Sequence, residues 1–193
     1  MDAGEREQLE EALRRAFDAG DFDQVATLAL TGYGPEILGY LVGVLRSPGD
    51  ADEVFSEFCV DLWASLPRFR WECSFRAWGY TLARHRAYAL SRDPARRGVP
   101  LSSVPELEDL AARVRTATRD YLRTEVKDRV ARLREQLDDE ERTLLILRVD
   151  RDLSWAEVAR ILDIGEPTLR KRFERVKAHL RELAAADGER ELG

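Results

Sequence analysis

Apolar residues recur three and four positions apart along nearly the whole chain, the spacing of one face of an α-helix. Over residues 5–18 they are Leu9, Leu13, Ala16 and Phe17. Gly20 is placed to stop that helix, and Asp21 or Asp23 to cap a short successor running through Thr27 to Leu30. The run Gly32-Tyr33-Gly34-Pro35 reads as a break. A strongly apolar helix then covers 36–45 with Ile37, Leu38, Tyr40, Leu41, Val44 and Leu45, closed by Ser47-Pro48-Gly49. Asp50 opens the next helix, with Asp50 and Glu53 at capping-box spacing. Val54, Phe55, Phe58, Leu62 and Trp63 form its stripe, and Pro67 stops it. After the loop Arg68 to Cys73, Ser74 can cap a helix from Phe75 to about Ser91, with Trp78, Leu82 and Ala89 among its apolar positions.

Pro94, Gly98, Pro100 and Pro105 mark a linker. A helix resumes near Glu106 and reads as irregular before Tyr121. Residues 122–137 give another helix, and Asp138 or Asp139 caps one carrying Leu144, Leu145, Leu147 and Val149. Helices over 154–162 and about 166–185 close the chain. No stretch alternates in the manner of a strand, and no segment repeats. The expectation is an all-α fold of two small helical domains joined by a flexible linker.

Composition narrows the class. At 193 residues and 44% hydrophobic content the chain can build real cores. No apolar run approaches the roughly 18 residues of a membrane span, so no membrane partner is expected. The acidic start lacks the apolar core of a secretory signal. Two cysteines, Cys59 and Cys73, make neither a disulfide framework nor a zinc site, so a reducing cytoplasm fits and no metal or cofactor is expected. The net charge of −6 hides a segregation. Residues 1–60 hold 13 acids and 4 bases, whereas 61–100 hold 3 acids and 8 bases. Residues 142–183 carry 10 bases against 7 acids. Two basic zones suit a polyanion, although runs of charge are also ordinary solvated faces.

The stretch from Leu153 to Phe173 decides between these readings. Ser154 and Glu157 form a capping box. Val158, Ile161 and Leu162 face inward, and Asp163-Ile164-Gly165 makes a tight turn. Pro167 stands in the first turn of the next helix, where its missing N–H costs little. That helix buries Leu169, Phe173, Val176, Leu180 and Leu183, and residues 166–181 carry six bases and two acids. This is a helix-turn-helix whose second helix fits the major groove of DNA.

The first half carries a resemblance. The segment Ser47-Pro48-Gly49-Asp50-Ala51-Asp52-Glu53-Val54-Phe55-Ser56-Glu57-Phe58 through Leu62-Trp63, then Phe69-Arg70 and Ser74-Phe75-Arg76-Ala77-Trp78-Gly79-Tyr80-Thr81-Leu82-Ala83-Arg84-His85, resembles region two of the extracytoplasmic-function (ECF) RNA polymerase sigma factors of the sigma-70 family. The helix-turn-helix, with Leu137-Asp138-Asp139-Glu140-Glu141-Arg142 before it, resembles region four of the same family. The likeness covers about 33–92 and 123–184. It implies an N-terminal acidic helical extension (1–31), a region-two domain (32–92), a linker (93–122), a region-four domain (123–186) and a tail (187–193).

The resemblance implies an alternative sigma factor that binds core RNA polymerase, recognises the minus-ten and minus-thirty-five promoter elements and promotes strand opening. Region two would dock on the β′ coiled coil through Asp52, Glu53 and Glu57, with Val54, Phe55 and Phe58 divided between core and docking face. Region four would meet the β flap. The minus-ten element would fall to the loop Arg70, Trp71, Glu72, Cys73 and Ser74 and to the helix residues Arg76, Trp78, Arg84, His85 and Tyr88. Of these Trp71 is the favoured stacking platform, because captured bases need aromatic faces beside cations. The minus-thirty-five element would be read by Glu166, Thr168, Arg170, Lys171, Arg172 and Arg175. Gly165 stands where a capping Ser is usual and Pro167 where Gly is usual. An anti-sigma factor is a further partner of such proteins. The alternative is a stand-alone helix-turn-helix regulator with an N-terminal interaction domain. No nucleophile elbow, His-Glu-x-x-His or phosphate loop is present, so no catalytic residue is expected.

Overall fold

The computed structural model describes residues 1–92, 105–124 and 136–190, and all its regular elements are helical. The chain divides into two units, Met1–Leu122 and Arg123–Gly193.

In the first unit, α1 (Ala3–Asp18) starts at a capping box made by Asp2 and Glu5. Asp21 then caps α2 (Phe22–Leu45) by accepting from the Gln24 N–H. The break expected at 32–35 does not occur, since α2 runs through it as one helix of 24 residues containing Pro35. The glycines serve packing instead of turning. A Cβ at Gly32 would lie 2.3 Å from Leu9 of α1, and one at Gly34 would lie 3.1 Å from both methyls of Val114. The two glycines let neighbouring helices approach α2 closely, and the buried contacts outweigh the local breaking tendency. By length and apolarity α2 could cross a membrane, contrary to the expectation that no such run exists. Ten of its residues, including Val25, Leu30, Ile37, Leu38 and Leu41, are buried inside this helical unit.

Helix α3 (Pro48–Ser65) begins two residues before the expected Asp50, because Ser47 supplies the cap by accepting from the Asp50 N–H. Pro48 fits the first turn, where no N–H is needed. A 3₁₀ turn, Leu66–Arg68, leads to the loop before α4 (Phe75–Arg92). The helix expected to resume near Glu106 forms as α5 (Pro105–Thr124) and runs without the irregularity expected before Tyr121. It buries Leu107, Leu110, Ala111 and Val114, an apolar face at helical spacing. Arg115 on α5 donates to the Asp52 carbonyl (3.4 Å) and to the Ser56 hydroxyl.

The helix expected over 122–137 falls mostly outside the described residues. In the second unit, Asp138 caps α6 (Asp139–Leu145) through a capping box with Glu141. Arg142 is buried and donates to the Leu137 carbonyl, which ties the preceding turn to the helix. Helix α6 widens into one π turn, Ile146–Asp150, closed by the Arg151 N–H on the Ile146 carbonyl at 3.0 Å. Helices α7 (Trp155–Leu162) and α8 (Glu166–Arg190) follow. Leu137, Leu145 and Val176 form a core joined by Phe173 and Leu180.

Candidate nucleic-acid interface

The loop between the 3₁₀ turn and α4 is held by aromatic packing. Phe69 stacks on Trp78, ring centres 4.4 Å apart and 22° between planes. Trp71 lies 4.9 Å from Phe69 and 5.7 Å from Phe17 of α1, and the Arg14 guanidinium sits 4.9 Å over the indole. Trp71 adopts a left-handed backbone (φ +57°), which an L-residue with a bulky side chain rarely takes. Its indole N–H is buried with no hydrogen-bond partner. Trp71 is therefore a half-buried member of a cluster, not the open platform expected from sequence.

Arg76, expected to reach DNA, is withdrawn from the surface. It is 6% exposed and makes a two-pronged ion pair with Glu36 of α2 at 2.7 and 3.0 Å. A guanidinium at that depth needs a carboxylate partner. Arg70, Glu72, His85 and Tyr88 are exposed, while Cys73, Ser74, Trp78 and Arg84 are half-buried. Arg84 and Tyr88 are one helical turn apart, and the Arg92 guanidinium lies 5.6 Å over the Tyr88 ring. The exposed part of this surface is thus a cation-and-tyrosine stripe on α4 beside Arg70.

On α3 the apolar and acidic residues separate. Val54, Phe55 and Phe58 are all fully buried, so none of them lies on a docking face. Their stripe fills the space between α3 and its neighbours, with Phe55 stacked on Phe58 at 5.8 Å. Asp52, Glu53 and Glu57 remain half-buried at the surface. Arg115 approaches Asp52 at 3.9 Å, and Arg86 of α4 bridges Glu57 at 3.5 Å and Asp61. The Asp61 hydrogen bond, opposed by partial burial, holds the Arg86 guanidinium above its usual range.

The helix-turn-helix forms as its sequence requires. Ser154 and Glu157 exchange both hydrogen bonds of the capping box. Asp163, not Gly165, takes the left-handed position that ends α7 (φ +55°). Asp tolerates this conformation better than most residues. Thr168, Arg170, Lys171 and Arg175 are exposed on α8, and Leu169 and Val176 are buried beneath them. Glu166 and Arg172 are half-buried and each is paired, Glu166 with Arg170 at 3.4 Å and Arg172 with Glu140 at 2.9 Å. Arg170 lies 4.9 Å over the Trp155 ring, and Arg148 5.4 Å from the same ring. Sequence reasoning did not single out Trp155 as the rest for Arg170, nor Glu10, Arg14, Glu36, Arg86 or Arg115. Only the shared helical spacing of a charged face hinted at them. Among the described residues no group of His, Cys, Asp or Glu could hold a metal ion.

A helix-turn-helix with an exposed cationic second helix, on a chain whose other unit carries an aromatic loop beside a basic helix, defines a DNA-binding transcription protein. Residues 29–97 match sigma-70 region 2 and residues 127–180 match sigma-70 region 4. The chain belongs to the sigma-70 family of RNA polymerase sigma factors and is of the extracytoplasmic-function type. It is 27% identical to the RNA polymerase sigma-H factor of Pseudomonas aeruginosa over 177 residues, 89% of this chain and 87% of that one. Its fold resembles the sigma factor RpoE of Bartonella quintana, solved with the anti-sigma factor NepR (TM-score 0.60, 15% identity, 82% and 95% of the two chains). It also resembles CnrH, solved with the cytosolic domain of CnrY (TM-score 0.58, 22% identity, 94% and 96% covered). The family serves transcription initiation and is non-catalytic.

Proposed function

We propose that the chain binds core RNA polymerase in the cytoplasm and directs it to promoters, with no chemistry of its own. Region four reads the minus-thirty-five element through Thr168, Arg170, Lys171 and Arg175, and rests on the β flap. Region two presents Asp52, Glu53 and Glu57 to the β′ coiled coil, with Val54, Phe55 and Phe58 supporting them from below. The loop from Arg70 to Ser74 and the α4 stripe of Arg84, His85 and Tyr88 hold the melted minus-ten strand. An anti-sigma factor is a fitting antagonist, given the complex solved for the Bartonella relative.

The observation that carries this reading is the exposed cationic start of α8, where Arg170 rests on Trp155 with its side chain 56% exposed. A helix presented in this way meets phosphates and base edges together. A lone regulator would use the same helix, so the test must involve the polymerase. Purified core enzyme, with and without the protein, is run on genomic DNA from the same bacterium and the transcript starts are sequenced. Initiation at a set of sites sharing two elements, dependent on the protein, is expected. Tight duplex binding by the protein alone, without dependent starts, would show a stand-alone regulator.

A further inference from the structure

Glu10 lies on α1, outside the residues matched to region two, yet it is wired into the base of the loop before α4. One carboxylate oxygen accepts from the Phe75 N–H at 2.8 Å. The other accepts from the Arg76 N–H at 2.9 Å and from the Tyr33 hydroxyl at 2.8 Å. A helix start leaves its first N–H groups without intrahelical partners. Here Ser74 takes the Ala77 N–H at 3.1 Å, and Glu10 takes the two before it from 65 residues away in sequence. A negative charge at this end also complements the helix dipole. The same face of α1 brings Phe17 and Arg14 against Trp71.

We propose that Glu10 is a positioning residue for strand opening, fixing the loop Phe69–Ser74 in the shape that receives the extruded minus-ten base. The inference rests on the function proposed above. Trp71 sits in a backbone conformation that costs energy. The loop keeps it because both ends are pinned, one by Phe69 on Trp78 and the other by Glu10 on the first turn of α4, while Phe17 and Arg14 hold the indole between them. Release of the Glu10 end lets Trp71 relax and frees α4 to fray at its start. Base capture then pays for an ordering that the parent protein carries ready-made.

Two variants test this, Glu10→Gln and Glu10→Ala. The glutamine keeps one acceptor oxygen but turns an amide NH2 toward donors. Each is assembled with core polymerase, and three quantities are measured. These are core affinity, binding to a duplex bearing the upstream element alone, and the rate at which permanganate-reactive thymines appear at a dependent promoter. Binding of a single-stranded oligonucleotide of the melted strand is followed alongside. Opening rate and single-strand binding are expected to fall on the order of tenfold, more for Ala than for Gln, with core and duplex affinity within about twofold of the parent. Unchanged opening in both variants overturns the inference. So does a parallel fall in all the measured quantities, which marks Glu10 as structural only. If the parent itself opens no promoter, the proposed function fails first and takes this inference with it.

Discussion

Replacing Arg76 with Met separates the structural account of this residue from the DNA contact its sequence context implied. The guanidinium is 7% and the Glu36 carboxylate 17% exposed as side chains, joined by bonds of 2.7 and 3.0 Å. Met fills a similar volume but leaves Glu36 charged and unpaired. Loss of one partner of a buried pair costs about 3–5 kcal/mol, and the water left to Glu36 favours the lower end. Unfolding entropy of about 2.1 cal/mol/K per residue, over the unit Met1–Leu122, makes each kcal/mol worth about 4 °C. Arg76→Met should therefore lower the melting temperature of this unit by about 12 °C. Tryptophan fluorescence follows it, since Trp63, Trp71 and Trp78 lie in this unit and Trp155 in the other. The double variant Arg76→Met with Glu36→Met should return to within about 1 kcal/mol of the parent, as apolar replacement of buried pairs commonly does. A single variant that melts within about 2 °C of the parent, while losing affinity for single-stranded promoter DNA, would refute the burial argument and restore Arg76 to the DNA surface.

Combined replacement of Arg170, Lys171 and Arg175 by Ala should lower the slope of log affinity against log salt by about 2.7 if each meets a phosphate, read by titrating holoenzyme on duplex at several salt concentrations. Gly34→Val should destabilise the first unit by about 1–3 kcal/mol, because its Cβ alone would stand 3.1 Å from Val114, and urea unfolding measures it. Burial pushes the Cys59 thiol up to about 12, so a mild thiol reagent at pH 8 should modify Cys73 in the native protein and both cysteines after denaturation. The Tyr33 phenol is held well above its ordinary range, first by burial and then by the Glu10 carboxylate. The stability it contributes is complete below the ordinary phenol value of about 10 and is lost progressively as pH rises from there toward the raised folded value, so the difference in melting between the parent and Tyr33→Phe should be constant from pH 8 to 9 and begin to narrow between pH 10 and 11.

The sequence carried several helix starts that a local device sets, although Ser47 and not Asp50 caps α3. Ser154 with Glu157, Asp21, Ser74 and Asp138 all cap as their spacing requires. Region four was the most legible part, because its turn, caps and apolar rows lie within about thirty residues. Long-range packing was not legible. Gly32, Gly34 and Pro35 carry every local mark of a break, yet all three lie inside α2, where Leu9 and Val114 pack closely on the two glycines. Arg76 looked like its basic neighbours because its partner Glu36 lies 40 residues away. The acids of α3 looked free because Arg86 and Arg115 reach them from other helices. Val54, Phe55 and Phe58 were divided between two faces because helical spacing alone cannot say how wide the buried stripe is.

The π turn at Ile146–Asp150 is a one-residue surplus wound into the end of α6. Deleting a single residue there would leave a regular helix with every hydrogen bond closed. It would also carry the exit of that helix round by about 100°. A chain shortened in this way could keep both helices of the DNA-reading motif intact, yet aim their grip away from the groove. Register at this short wide coil sets how the two helices of that motif are seated on α6.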